Sequence, residues 1–212
     1  SDVCSSDLYI MCDAGSGKYR LGLRTYIIGA SCTSQSGFEP LINIMNSVTE
    51  STQETSQFGI LEGGNVLYVA KKDSPQAIRM ISWVGTKLPA NATAIGKALL
   101  SDLTDEQIRD LYRDGLPKLT EHTISDMDLL LGQIEQIRCG EIATETEEST
   151  PQMRCFAVPI RQNGRVDAAL SISVPIFRYT DEKRVQICQC LREAQQQIEQ
   201  LVGLYNFELI KP

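Results

Sequence analysis

The segment MRCFAVPIRQNGRVDAALSISV, residues 153–174, decides how the rest of this chain is read. Met153 to Ile160 is an apolar run of strand length, and Val166 to Val174 is a second. Between them Asn163-Gly164 supplies the pair of residues that tolerates the positive φ of a tight hairpin turn. The segment is therefore read as an antiparallel hairpin. Strand alternation puts Cys155 on one face with Met153 and Ala157, and it puts Ser171 and Ser173 together on one face of the second strand. Polar side chains on a half-buried sheet face need partners, and the oxygens of a bound molecule supply them.

Outward from the hairpin, the pattern alternates between blocks of strands and blocks of helices. Ile142 to Glu147 predicts a strand. Ser125 to Arg138 predicts a helix that Gly140 stops, and Thr104 with Gln107 forms a capping box for a helix through Tyr112. Thr93 caps a helix over 94–100. Earlier still, Thr55 to Leu61 and Val66 to Lys72 flank a Glu62-Gly63-Gly64-Asn65 turn, and Ile78 to Trp83 is a third strand candidate after Ser74-Pro75. Phe38, Leu41, Ile42, Met45 and Val48 follow the spacing of an amphipathic helix, and Tyr19-Arg20-Leu21 reads as a strand end leading into a helical stretch. Downstream, Thr180 opens a long final helix with Val185, Cys188, Leu191, Ala194, Ile198 and Leu201 on one stripe. This is an α+β chain: an antiparallel sheet with helices packed on it and a long C-terminal helix.

Composition sets the outer limits. The 212 residues amount to one domain and a fraction, enough for a core without disulfides or a structural metal. Twenty basic against 27 acidic side chains, a net charge of −7, argue against a nucleic-acid surface dominating the chain. No apolar run approaches the ~18 residues of a membrane span, and the first residues carry no basic region and cleavage site of a secretory signal. Seven cysteines without a C-x-x-C pair are expected to be reduced thiols of a cytoplasmic protein, and the single histidine, His122, argues against a metal site.

Three places in the chain have the residue types for chemistry. The N–H groups of Ala94, Ile95 and Gly96 open the helix that Thr93 caps and are suited to a small anion, although the same residues also make an ordinary capped helix. In the acidic stretch, Glu145 and Glu147 share a strand face while Glu148 points away; a solvated strand end is the plain alternative to an acid/base pair. Cys155 lacks the neighbouring cation or histidine that a nucleophilic thiol requires, since Arg154 points to the opposite face and His122 reads as an exposed loop residue.

The order of segments resembles a known family. Tyr19-Arg20-Leu21-Gly22, Ile78-Arg79-Met80, Gly85-Thr86-Lys87-Leu88-Pro89, the run from Ala92 to Leu100, Glu147-Glu148, Arg154 to Ile160 and Ala169 to Ser173 appear with suitable spacing over roughly residues 19–204. Together they resemble the C-terminal effector-binding domain of IclR-type bacterial transcriptional regulators. The resemblance implies a GAF-like fold. It implies a tail at 1–18, a remnant of wing strand and linker helix at 19–36, the effector-binding domain at 37–205 and a C-terminal tail at 206–212. It also implies a winged helix-turn-helix domain before this one, for which the residues preceding Tyr19 are too few.

From the same resemblance comes a pocket between the sheet and the Thr93 helix, filled by a small organic, sugar-derived or aromatic acid. Its polar end is expected at the backbone of Ala94 and Ile95 with Glu145, Cys155, Ser171 and Ser173, and its apolar wall at Ala77, Met80, Leu88 and Met153. No cofactor, metal or membrane is implied. The implied assembly is a homodimer or tetramer that reaches operator DNA only through the N-terminal domain. The chain departs from the family pattern at Asn91, where a histidine is usual, at Glu145 (aspartate), at Gln152 (glycine) and at Ala77 (a larger apolar residue). A thiol enzyme using Cys155 and a dimerisation module without a ligand are the alternatives.

Overall fold

The structure, a computed structural model, describes residues 9–13, 15–35, 38–80 and 82–205. It divides into two compact units after Leu41, a few residues beyond the boundary expected at 36/37. In the first unit, β1 (Ile10–Cys12) pairs antiparallel with β2 (Tyr19–Leu21), with Met11 opposite Arg20, and α1 (Leu23–Gln35) follows. The segment expected as a plain tail thus contributes a strand, while residues 1–8 and 206–212 lie outside the described residues. The helical stretch expected after β2 is α1 and runs to Gln35.

A six-stranded antiparallel sheet forms the second unit, with the order β5-β4-β3-β8-β7-β6. Its strands are β3 (Thr55–Glu62), β4 (Asn65–Lys72), β5 (Lys87–Pro89), β6 (Ala143–Thr146), β7 (Met153–Gln162) and β8 (Arg165–Pro175). Asn163 and Gly164 turn the β7–β8 hairpin at φ 52° and 82°, the positive values that two-residue turns demand. β8 also pairs with β3, aligning Gln57 with Ser171 and Thr55 with Ser173. On the other side β7 pairs with β6, aligning Glu145 with Cys155.

Alternation assigns the two faces. Leu170, Ile172 and Val174 of β8 and Phe156, Val158 and Ile160 of β7 are buried on one face. This face is covered by α6 (Asp181–Tyr205), whose inward stripe is Ile187, Leu191, Ala194, Ile198 and Val202. The stripe differs from the expected one at both ends: Val185 is exposed and Ile187 takes the first inward position in place of the half-buried Cys188, while Val202 is buried and Leu201 only half-buried. α2 (Phe38–Thr52) lies against the same face, where Ser56 Oγ donates to Met45 O at 3.2 Å and bonds Thr49 at 2.8 Å.

On the opposite face sits α3 (Ala94–Leu100), supported by α4 (Asp105–Leu111) and α5 (Met127–Arg138). Thr104 and Gln107 close the expected capping box of α4. The cap of α5 is Asp126 and not Ser125: its carboxylate accepts from the amides of Asp128 and Leu129. Among the described residues no helix is long and apolar enough to cross a membrane.

At Ile78–Trp83, where a strand was expected, none of the described residues is in a strand, and residue 81 lies outside them. The edge strand is β5, nine residues later in register, with Leu88 opposite Val66. The chain between β4 and β5 is pinned by side chains instead of a ladder. Ser74 Oγ donates to Gln53 O at 2.6 Å, and Arg178 Nη1 donates to Ile78 O at 2.8 Å. Met80 and Ser82 are turned inward, while Ile78, Trp83 and Val84 stay exposed. Residue types favour a strand here, but the tethers at Ser74 and Ile78 tie the chain to Gln53 and Arg178 and not to the edge of β4.

Candidate functional site

The helix-side face of the sheet is where polar side chains gather. From β6 to β3 a continuous line of them crosses four strands. Glu145 Oε1 accepts from Ser149 Oγ at 3.1 Å, and Glu145 Oε2 accepts from the Glu148 amide at 2.8 Å. The Cys155 thiol lies beside Glu145 and 3.2 Å from Ser173 Oγ. Ser173 donates to Gln57 Oε1 at 3.1 Å, and Gln57 Nε2 donates to Ser82 Oγ at 2.6 Å. Ser171 stands one alternation further along β8, its hydroxyl 3.5 Å from Gln57 O. All six side chains from Glu145 to Ser82 are buried. Hydroxyls, an amide, a thiol and a carboxyl occupy a face that a sheet core ordinarily fills with Val, Ile and Leu.

Above this line, α3 begins. Thr93 accepts from the Gly96 amide at 3.1 Å, so the cap consumes that N–H and leaves those of Ala94 and Ile95 as the helix's first donors. The helix comes unusually close to its own lead-in turn at 90–92. A Cβ on Gly96 would stand 2.2 Å from Ala90 O, so only glycine fits.

Glu148, which alternation had turned outward, is part of the site's frame. β6 ends at Thr146 and Glu147 takes φ 59°, which breaks the alternation and swings Glu148 inward instead of Glu147. The Glu148 carboxylate meets Lys97 Nζ of α3 at 2.5 Å, with Lys97 fully buried, and its backbone carbonyl accepts from Thr123 at 2.6 Å. This pair ties α3 to the loop that holds Glu145.

Burial governs the electrostatics. It raises the Glu145 carboxyl above its ordinary range, against the opposing pull of its hydrogen bonds to Cys155, Glu148 and Ser149. The Cys155 thiol is pushed well above its usual value by burial and then by the neighbouring Glu145. Tyr68, on the same face, is raised by burial with Cys155 and Glu145 adding to it. A thiol held protonated in this way lacks the character of a nucleophile. His122 sits exposed on its loop, and Arg154 stacks over Phe156 and Tyr179 on the far face, its guanidinium carbon 4.4 Å from the Tyr179 ring centre.

Of the expected wall residues, Met80 and Met153 come together and line one cavity of about 310 Å³, floored by Pro175 and Phe177. Met80 also lines a second cavity of about 510 Å³ together with Ser82, Lys71 and Trp83. Leu88 packs at the edge of the α3 core cluster. Ala77 does not join them: it is exposed in the chain before β5. Gln57 and Ser82 were not anticipated. Gln57 lies in an all-buried stretch of β3 with no alternation to mark it, and Ser82 lies where a strand was expected.

The departures from the family pattern have local consequences. Gln152 holds φ 60°, the left-handed region that glycine adopts most easily, and its amide and side chain both reach the Glu147 carboxylate. Asn91 is fully buried, donates to Pro117 O at 3.0 Å and leaves its own Oδ1 without a partner.

Known proteins are similar to this chain in sequence and fold. Residues 38–200 match the family described as bacterial transcriptional regulator IclR C-terminal. The HTH-type transcriptional regulator KdgR of Dickeya chrysanthemi is 30% identical over 202 residues, covering 94% of this chain and 66% of that protein, so the chain spans just under two thirds of that regulator's length. An IclR transcriptional regulator from Alicyclobacillus acidocaldarius, 21% identical, has the same fold at a TM-score of 0.86 over 94% of this chain and 81% of its own. The inducer-binding domain of the PobR transcription factor from Acinetobacter, a double mutant in complex with 3-hydroxybenzoic acid, is 28% identical with a TM-score of 0.67, over 74% of this chain and 94% of its own. The sheet order, the α3 face and the match over residues 38–200 agree: this chain belongs to the IclR family of bacterial transcriptional regulators and carries the family's C-terminal domain.

Proposed function

We propose that this chain senses a small organic acid on the α3 face of its sheet and, as part of a cytoplasmic homodimer or tetramer, controls a winged helix-turn-helix domain that reads operator DNA. The observation that carries this reading is the buried polar line Glu145–Cys155–Ser173–Gln57–Ser82. Nothing in the packing of a sheet calls for it, and it has the donors and acceptors of a ligand shell. The inducer-binding domain of PobR, similar in sequence and fold, has a hydroxybenzoic acid bound.

In this reading the acid's carboxylate meets the amides of Ala94 and Ile95 and the hydroxyls of Ser171 and Ser173. Cys155 completes the polar shell, and Met80, Leu88 and Met153 contact its apolar body. Glu145 also has a part. Burial raises its carboxyl above the ordinary range, which lessens the repulsion it offers an oxyanion, while its two oxygens accept from Ser149 and the Glu148 amide at the edge of the shell. The chain acts by binding without chemistry, and the occupant shifts the equilibrium between two arrangements only by binding them unequally.

Thermal unfolding in the presence of small acids tests this. A panel of 3-hydroxybenzoate, 4-hydroxybenzoate and sugar acids is expected to contain at least one member that stabilises the fold. At a hundredfold excess over Kd the gain is about 2.7 kcal/mol, a rise in Tm of about 5–10 °C for a chain of this size. A panel that leaves Tm unmoved contradicts the sensing role and favours a dimerisation module.

A further inference from the structure

Gln57 stands where the polar line leaves the sheet. Its Oε1 accepts from Ser173, and its Nε2 donates to Ser82 in the chain between β4 and β5. That chain has other attachments: Ser74 to Thr55 and Gln53, Ile78 O to Arg178, and Ser82 O to Lys71 Nζ at 2.8 Å. Of these attachments, the Gln57–Ser82 bond alone runs through a side chain of the polar line.

The donor order along the line is fixed by proton counting. A serine hydroxyl has one proton, and Ser173 gives it to Gln57 Oε1, which can only accept. With that proton committed, Ser173 Oγ can only accept at Cys155, whose one thiol proton is also within reach of the Glu145 carboxyl. An occupant that presents an oxyanion to Ser173 takes that single proton. Gln57 Oε1, on a side chain 2% exposed, is left without a donor, and a buried acceptor without a partner is costly. Turning the amide over restores a bond to Ser173 through Nε2. It also presents Oε1 to Ser82 Oγ in place of a donor, so Ser82 must swing its own proton inward or part from Gln57.

We propose that Gln57 relays the charge of an occupant through the single proton of Ser173 to Ser82, so that an oxyanion on the sheet face loosens the chain before β5. The relay rests on the sensing role proposed above, and its test separates the two. Trp83, the chain's sole tryptophan and 73% exposed, neighbours Ser82 and reports its surroundings by fluorescence. The amides of Gly85 and Thr86, which donate to Tyr68 O at 2.8 Å and Trp83 O at 3.1 Å, report the same segment by hydrogen exchange.

In the free protein, Gln57→Leu and Ser82→Ala are each expected to speed exchange at Gly85 and Thr86 about tenfold, the share of one net hydrogen bond. The double variant is expected to exchange no faster than either single one, because both remove the same bond. Unchanged rates, or accelerations that multiply, overturn the link between Gln57 and Ser82. In the wild type, 3-hydroxybenzoate is expected to speed the same amides and shift Trp83 emission. Calorimetric binding of 3-hydroxybenzoate without either change overturns the relay and leaves the site standing. Absence of calorimetric heat counts against the choice of occupant, and the free-protein comparison still decides the link.

Discussion

A carboxyl group buried as deeply as that of Glu145 makes the stability of the fold depend on pH in a definite direction. Its folded-state pKa lies above the unfolded value of about 4.5, because burial opposes the charge more than its hydrogen bonds favour it. Below that value both states carry the proton and nothing is lost. As pH climbs through the raised pKa, the folded state must either hold the proton or bury a charge, and stability falls. Glu145→Gln removes the titration. The Tm of the variant minus that of the wild type is therefore expected to grow between about pH 4.5 and neutrality and to be smallest at the acid end. A difference that shrinks with rising pH would show a carboxylate stabilised in place and contradict the assignment of burial as its dominant influence.

At the scale of elements, the position of α3 is set by absent atoms. Gly96 lets the first turn of α3 rest on Ala90, and Gly59 lets β3 pass beneath it, where a Cβ would meet Val66 at 2.8 Å and Ile95 at 3.2 Å. Gly96→Ala is expected to cost about 3 kcal/mol or more, since the obstructing atoms belong to backbone and cannot move aside. Gly132 of α5 is the control: an added Cβ there meets nothing within 4 Å, and Gly132→Ala is expected to stabilise by about 0.5–1 kcal/mol. Denaturant unfolding of both variants checks the pair, and equal effects of the two would contradict the close approach at Ala90.

The elements also show what the sequence discloses. The β7–β8 hairpin and the caps at Thr93 and Thr104 were legible because each is written in neighbouring residues. The faces of Cys155, Ser171 and Ser173 followed from alternation alone. Glu148 was misplaced because alternation assumes an unbroken strand, and the positive φ at Glu147 has no mark such as glycine. Gln57 was invisible for a different reason. Its partner Ser171 lies 114 residues away, and only the pairing of β3 with β8 brings them together.

For the whole chain, the net charge of −7 and the buried polar line point the same way. The acidic surface is a poor match for DNA, and the polar groups that distinguish this sheet are turned inward, onto a face closed by α3. Lys97 is paired with Glu148, so in the sensing role proposed above recognition of an acid would fall to hydrogen bonds: the amides opening α3 and the hydroxyls of Ser171 and Ser173. The most direct measurement is calorimetric titration of the wild type and of the Ser171→Ala, Ser173→Ala double variant with the acid that raises Tm most. The account predicts one site per chain in the wild type. It predicts affinity at least tenfold weaker in the variant, since a hydrogen bond to a charged group contributes about 1.5–3 kcal/mol. Equal affinity in the two proteins would contradict it.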